Sequence, residues 1–115
     1  MENFEVQEHA IKLGKAIVEA LGLQRSNDTL SRWMAHYISE QIAEAERTSG
    51  TERDGRQQNC WKTIRKLEKH WEEWSYHRSS DSPDSVLPAL IWLHENESSV
   101  SLPSWLLNQL RQHAK

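Results

Sequence analysis

Apolar side chains recur at intervals of three and four residues along most of this chain, which is the spacing of one face of an α-helix. No segment shows the strict alternation of a half-buried strand, and no internal repeat is present. The pattern predicts an all-α fold, a compact bundle of four or five antiparallel helices that forms one domain over residues 1–115. The clearest helix carries an apolar stripe of Leu30, Trp33, Met34, Tyr37, Ile38, Ile42 and Ala45. Of these we expect five in the core, packed against the first and third helices: Trp33, Met34, Tyr37, Ile38 and Ile42.

Capping and helix-breaking residues indicate where the helices begin and end. Gly22 is a natural stop for the first helix, and Asn27 or Asp28 can cap the second. Segment 48–58 contains two glycines and mixed charges, which predicts a loop or a frayed helix start. A narrow apolar seam predicts the third helix, and its residues are Cys60, Ile64, Leu67, Trp71 and Trp74.

The C-terminal third of the chain predicts two shorter helices after a polar loop at 77–85. Asp84 or Ser85 can cap the fourth helix. Pro88 is tolerated in the first turn of that helix because the backbone N–H groups of a first turn have no hydrogen-bond partner within the helix. Pro103 marks the start of the fifth helix.

Composition excludes several classes of protein. The formal net charge is −3, a poor balance for non-specific nucleic-acid binding. The N-terminal sequence MENFEVQEH is acidic, unlike a signal peptide, and no apolar stretch approaches the roughly 18 residues that span a bilayer. Cys60 is the single cysteine, which fits a reducing compartment. We therefore expect a cytoplasmic, bacterial protein that contacts no membrane.

The sequence offers weak candidates for chemistry. His36 with Glu40, and His70 with Glu73 and His77, are too few ligands for a metal site, and no HExxH or CxxC motif is present. Cys60 lies in register with apolar residues, so we expect a small buried side chain and not a nucleophile. Nucleotide-binding and hydrolase motifs are also absent from the sequence. We expect no enzyme activity and no cofactor.

Two features could serve nucleic-acid binding. A basic stripe on the third helix could track phosphates, although glutamates interrupt it; its residues are Lys62, Arg65, Lys66 and Lys69. The segment AIVEALGLQRSNDTLSRW resembles a helix-turn-helix, but its connector is longer than usual and its second helix is long and apolar. A helix-turn-helix-like nucleic-acid-binding regulator is therefore the alternative function.

Two groups of residues are candidates for binding protein. Ala35, Ser39 and Ala43 recur every four residues and would let a second backbone approach, either the C-terminal helices or another copy. The alternative is that alanine occurs there only as a good helix former on an exposed face. The fourth and fifth helices carry more apolar surface than one small chain obviously covers, so we expect an exposed contact surface there. Its candidate residues are Trp92, Leu102, Trp105, Leu106 and Leu110. The alternative is that both helices fold back over the second and third and bury all their aromatic side chains.

The run DTLSRWMAHYISEQIAEAE, followed by a helix with Cys60, Ile64 and Leu67, resembles a family of small bacterial all-helical proteins over residues 10–78. The resemblance implies a place in multigene operons of the phage-defence type, and it implies no catalytic residue. From the residues and the resemblance we expect a non-enzymatic helical interaction module. It would act as an accessory or regulatory subunit of a larger assembly, or bind itself as a homo-oligomer.

Overall fold

Five helices make up the fold in the computed structural model, which describes residues 2–24, 28–73, 83–97 and 100–114, with side chains from Glu8 onward. They are α1 (Glu2–Ala20), α2 (Thr29–Glu46), α3 (Gly50–Glu73), α4 (Val86–Asn96) and α5 (Ser104–His113). No strand occurs in these ranges. The all-α class is confirmed, while the antiparallel order of the helices stays a prediction.

The predicted end of α1 and the predicted start of α2 are confirmed, whereas α2, expected to end near Ser49 and Gly50, ends at Glu46. Gly22 has φ +67°, and the N–H groups of Gly22 and Leu23 return to the carbonyls of Glu19 and Val18. This is a Schellman motif, which needs the left-handed conformation that glycine adopts freely. Asp28 is the N-cap of α2, because its Oδ1 accepts from the Ser31 N–H at 3.0 Å.

The third helix begins earlier than its apolar seam indicates. Residues 50–58, expected as a loop or frayed start, form the first turns of α3. Ion pairs hold this polar segment to α2, since Arg53 contacts Glu46 at 3.1 Å and Arg56 contacts Glu44 at 3.8 Å. Gly55 is tolerated on an open face, where an added Cβ would have no neighbour within 4 Å.

The core lies where α1 and α3 flank α2 and where α4 and α5 close over them. Ile38 and Ile64 are fully buried there, and Trp71 is enclosed with its indole N–H donating to the Pro83 carbonyl at 3.0 Å. Among the tryptophans that the structure describes, only Trp71 is fully buried. The core is therefore mainly aliphatic. Trp74 and most of segment 77–85 lie outside the described residues.

Candidate protein-interaction surface

The outward side of α2 carries three large apolar residues, Leu30, Trp33 and Tyr37, which we call the aromatic face. They are 49%, 60% and 40% exposed. The rings of Trp33 and Tyr37 stack with centroids 5.1 Å apart and planes 24° apart. One helical turn separates the two residues, which is the spacing at which side chains on a helix meet. Together they form a continuous pair of exposed aromatic side chains.

Trp33 and Tyr37 were expected in the core, and that prediction is wrong. The apolar stripe covers more of the helix surface than its neighbours bury, and α2 packs against α1 and α3. Met34, Ile38 and Ile42 face the core as predicted, and Ala45 is buried with them. The remaining side of α2 has no neighbour among the described elements, and the aromatic face lies there.

The small residues of α2 allow α1 to pack closely against the side of α2 on which they lie. Ser39 and Ala35 are buried, and a Cβ added at Gly14 of α1 would lie 3.0 Å from Ser39 Oγ and 2.5 Å from His36 Nδ1. The Ser39 hydroxyl donates to the His36 carbonyl at 2.6 Å. Ala43 lines the outer groove between the same two helices. The stripe does admit a second backbone, but that backbone belongs to α1, not to the C-terminal helices or to another copy as expected.

Ile11 of α1 extends the apolar surface beyond α2. Its side chain is exposed, and it lines a groove of about 390 Å³ that also contains His36 and Glu40. On the other side of Glu40, a smaller pocket of about 170 Å³ lies between Tyr37 and Arg56 of α3. The smaller pocket borders the aromatic face at Tyr37, and Glu40 lines both this pocket and the groove that contains Ile11.

Charge is distributed unevenly along the outward part of α2. Glu40 is exposed, and Glu44 contacts Arg47 at 3.5 Å and Arg56 at 3.8 Å. No acidic residue occurs in the first turn and no basic residue in the last. The N-terminal end of a helix carries a partial positive charge. The carboxylate of Asp28 caps this end and offsets its partial positive charge, and the exposed side of α2 is acidic farther along, at Glu40 and Glu44.

The expectation that the C-terminal helices leave an exposed contact surface is wrong for most of the candidate residues. Leu102, Leu106 and Leu110 are 4%, 1% and 0% exposed, because α4 and α5 cover the core. Trp105 is half-buried against the same core. Trp92 alone stands out at 53% exposure, above a groove that contains Lys12 and Ala16 of α1.

The four residues of the basic stripe, Lys62, Arg65, Lys66 and Lys69, are all exposed on α3. Within the described part of the chain, only Arg65 of these four pairs with a carboxylate, that of Glu68 at 3.1 Å. Its guanidinium also lies 5.7 Å from the centre of the Trp61 ring. The stripe is accessible, and its role in binding stays a prediction.

The candidates for chemistry do not converge. Burial raises the pKa of the Cys60 thiol to about 12, so the thiolate that a nucleophile needs does not form near neutral pH. His36 and Glu40 form no hydrogen bond with each other, and His70 turns to Asp28. No group of three or more metal-ligating side chains occurs among the residues that the structure describes.

A polar contact that the sequence does not reveal joins α2 to α3. His70 Nε2 lies 3.0 Å from both carboxylate oxygens of Asp28, and the two side chains are 14% and 9% exposed. Burial alone would raise the pKa of the Asp28 carboxyl. Hydrogen bonds from the Ser31 hydroxyl and N–H, and from His70, lower that pKa below its ordinary value. The residues are 42 apart in sequence, so no local pattern could have paired them.

Comparison of the chain with protein families, curated proteins and solved structures gives no match. None of the described helices has the length and apolar character needed to cross a membrane. What the chain does must therefore be inferred from the geometry of its own surface.

Proposed function

We propose that this chain is a non-enzymatic helical module that binds protein through the aromatic face of α2. One observation carries the proposal. Trp33, Tyr37 and Leu30 remain in solvent on a well-formed helix whose other two sides are packed. A soluble domain gains by burying such side chains, and contiguous exposed aromatics mark contact surfaces more often than single ones do.

The residue types suit this role. Tryptophan and tyrosine bury large areas with few rotatable bonds, which is why they dominate the energetic centres of protein interfaces. The Trp33–Tyr37 stack fixes both rings before a partner arrives, so less side-chain entropy is lost on binding. Glu40 lines the smaller pocket together with Tyr37 and can supply a charged rim beside the stack.

The same proposal covers the role of the module in an assembly and the kind of cell in which it works. An interaction module of this size fits an accessory or regulatory subunit in a bacterial, cytoplasmic assembly, and the resemblance over residues 10–78 favours one of the phage-defence type.

The alternative, nucleic-acid binding through the first two helices, has less support. A recognition helix presents polar and basic side chains to base edges. The outward side of α2 instead presents Leu30, Trp33 and Tyr37, followed by Glu40. A salt-dependent affinity for duplex DNA that survives Trp33→Ser would favour this alternative.

The test is affinity capture from the source cells with wild-type chain, Trp33→Ser and Trp92→Ser. Trp92 is the matched control, since it is exposed to a similar degree but lies on α4. We expect Trp33→Ser to lose the binding partner, or self-association, that wild type and Trp92→Ser retain. If all three chains behave alike, the aromatic face is not the binding surface.

A further inference from the structure

We propose that the basic stripe of α3 is a second binding surface, which takes single-stranded nucleic acid through its phosphates. Its residues are Lys62, Arg65, Lys66 and Lys69. The inference goes beyond the proposed function, because it concerns another helix and another class of partner.

The four cations of the basic stripe lie together on one side of α3. Their positions span about 100° of the helix circumference and about 10 Å of its axis. This side is turned away from the seam of Cys60, Ile64 and Leu67, which is buried. All four cations are exposed. The stripe is therefore one compact positive patch.

Local charge decides the attraction of an anion to this patch, and not the formal net charge of −3. Exposed charges are screened beyond about 8 Å at physiological salt. Residues 62–69 carry four basic side chains and one acidic side chain, Glu68. Glu68 pairs with Arg65 at 3.1 Å, whereas the three lysines of the stripe form no ion pair within the described residues. Glu72 and Glu73 are exposed just beyond the stripe and limit it to two helical turns.

The stripe suits a polyanion better than a protein or a lipid surface. The exposed large apolar residues of the described chain lie on α1, α2 and α4, and none lies on α3. A protein interface has a desolvated centre from which charged residues are depleted, and a helix on a membrane needs apolar side chains that enter the lipid. The stripe offers neither, so its affinity must come from neutralising charge.

Flat groups border the stripe on the side that faces α5. The Arg65 guanidinium lies 5.7 Å from the centre of the half-buried Trp61 ring, and the exposed ring of His113 lies 5.2 Å from the same ring. Unpaired bases stack on aromatic rings and on guanidinium planes. A stripe one helix wide also reaches one row of phosphates, while the two rows of a duplex flank a groove about 12 Å wide. Both features favour a single strand over a duplex.

The number of cations sets the expected salt dependence. Each phosphate neutralised on a single strand contributes about 0.7 to the slope of log K against log salt, so four contacts give a slope of about −3. Non-specific affinities of this kind lie at about 1–100 μM at physiological salt. Binding should therefore be measured from low salt upward.

The test is fluorescence anisotropy of a labelled oligothymidylate, titrated with the full chain at about 50–200 mM salt. Lys62→Gln combined with Lys66→Gln should weaken binding about tenfold or more at the low-salt end and halve the slope, because two of the four phosphate contacts are lost. Lys12→Gln combined with Lys15→Gln is the matched control. It removes the same charge from two exposed lysines of α1 and should bind as wild type does. Thermal melts monitored by circular dichroism check that both variants fold.

An abasic strand of the same length tests the contribution of the bases, because it carries the phosphates alone. Wild type should bind it about fivefold more weakly than oligothymidylate, the loss expected for one weakly stacked base. Arg65→Lys keeps the charge but lacks the guanidinium plane, so it should reduce this preference. Equal affinity of wild type for the two strands would overturn the choice of nucleic acid as the partner.

The remaining outcomes are decided by other probes in the same titration. Tighter binding of oligouridylate than of oligothymidylate identifies the strand as RNA, and the reverse identifies it as DNA. Tighter binding of a duplex, a polyglutamate peptide or phosphatidylserine vesicles than of either strand overturns the inference. No binding by wild type at about 500 μM chain in low salt also overturns it, as does binding that persists when Lys62 and Lys66 are replaced.

The two proposed surfaces can be tested independently of each other. Trp33→Ser should bind oligothymidylate as wild type does, because the aromatic face lies on α2. A Trp33→Ser chain that loses the oligonucleotide would overturn the assignment of the strand to α3. Capture of a protein partner that fails only in Trp33→Ser upholds the proposed function, whatever the oligonucleotide titration gives.

Discussion

Replacing Asp28 with alanine removes three interactions at once from the junction of α2 and α3. Asp28 accepts hydrogen bonds from the Ser31 N–H at 3.0 Å and from the Ser31 hydroxyl at 2.6 Å. Both of its carboxylate oxygens also lie 3.0 Å from His70 Nε2. The alanine would leave the buried Ser31 hydroxyl and the mostly buried imidazole of His70 without these partners.

The size of the effect follows from these contacts. Loss of an N-cap costs about 1 kcal/mol, and loss of a hydrogen bond to a charged, nearly buried group costs about 1.5–3 kcal/mol. Asp28→Ala should therefore lower the free energy of unfolding by about 3 kcal/mol, a large fraction of the total for a small domain. Asp28→Asn keeps the capping oxygen but loses the charge, so we expect a smaller loss of about 1–2 kcal/mol.

Urea unfolding followed by circular dichroism at several pH values measures the loss in the free energy of unfolding and the direction in which that loss changes with pH. The pKa of Asp28 is lower in the folded chain than its ordinary value of 3.8. Its contribution to stability is then fully present above that value and is lost as the pH falls below it through the folded-state pKa. The difference in the free energy of unfolding between wild type and Asp28→Asn should become smaller below pH 3.8. A loss of less than about 0.5 kcal/mol for Asp28→Ala at pH 7, or a gap that is the same at every pH, would refute the reasoning.

Three further predictions follow from packing. Ile38→Asp places an unpaired charge in the core and should prevent folding, so a soluble variant that melts like wild type would contradict the core assignment. Gly14→Ala should not bring the usual gain of about 1 kcal/mol for a helical glycine, since its Cβ would lie 2.5 Å from His36 Nδ1 and 3.0 Å from Ser39 Oγ; His36→Ala should recover part of the difference in a chemical-denaturation cycle. Cys60 should resist a thiol reagent in native chain at pH 8 and react in denaturant, and rapid native labelling would show that the site opens.

Features set by adjacent residues could be predicted from the sequence. Gly22 and Asp28 end one helix and begin the next through bonds to residues at most five positions away. The apolar seam of α3 also predicted its buried side correctly at Cys60, Ile64 and Leu67. These signals work because helix periodicity and capping are local properties of the chain.

Features set by distant residues could not be predicted. The stripe on α2 showed which side chains share a side of the helix but not how many neighbours would cover it, so Trp33 and Tyr37 were assigned to the core. α1 packs closely at Gly14 against the side of α2 that carries His36 and Ser39, and the two rings stay exposed. The start of α3 was missed for the same reason, because its first turns are held by ion pairs to α2.

The polar start of α3 divides this one helix into two parts of different local stability. Its buried residues begin only at Cys60, and the ten positions before it contribute none to the core. Those first turns are held chiefly by exposed ion pairs such as Arg53 with Glu46, each worth little in water. Backbone amides between residues 50 and 59 should therefore exchange with deuterium through local opening, faster than those around Ile64 and Leu67, which exchange only when the core opens. Raising the salt concentration should widen this difference, because it screens the ion pairs and leaves the apolar packing in place.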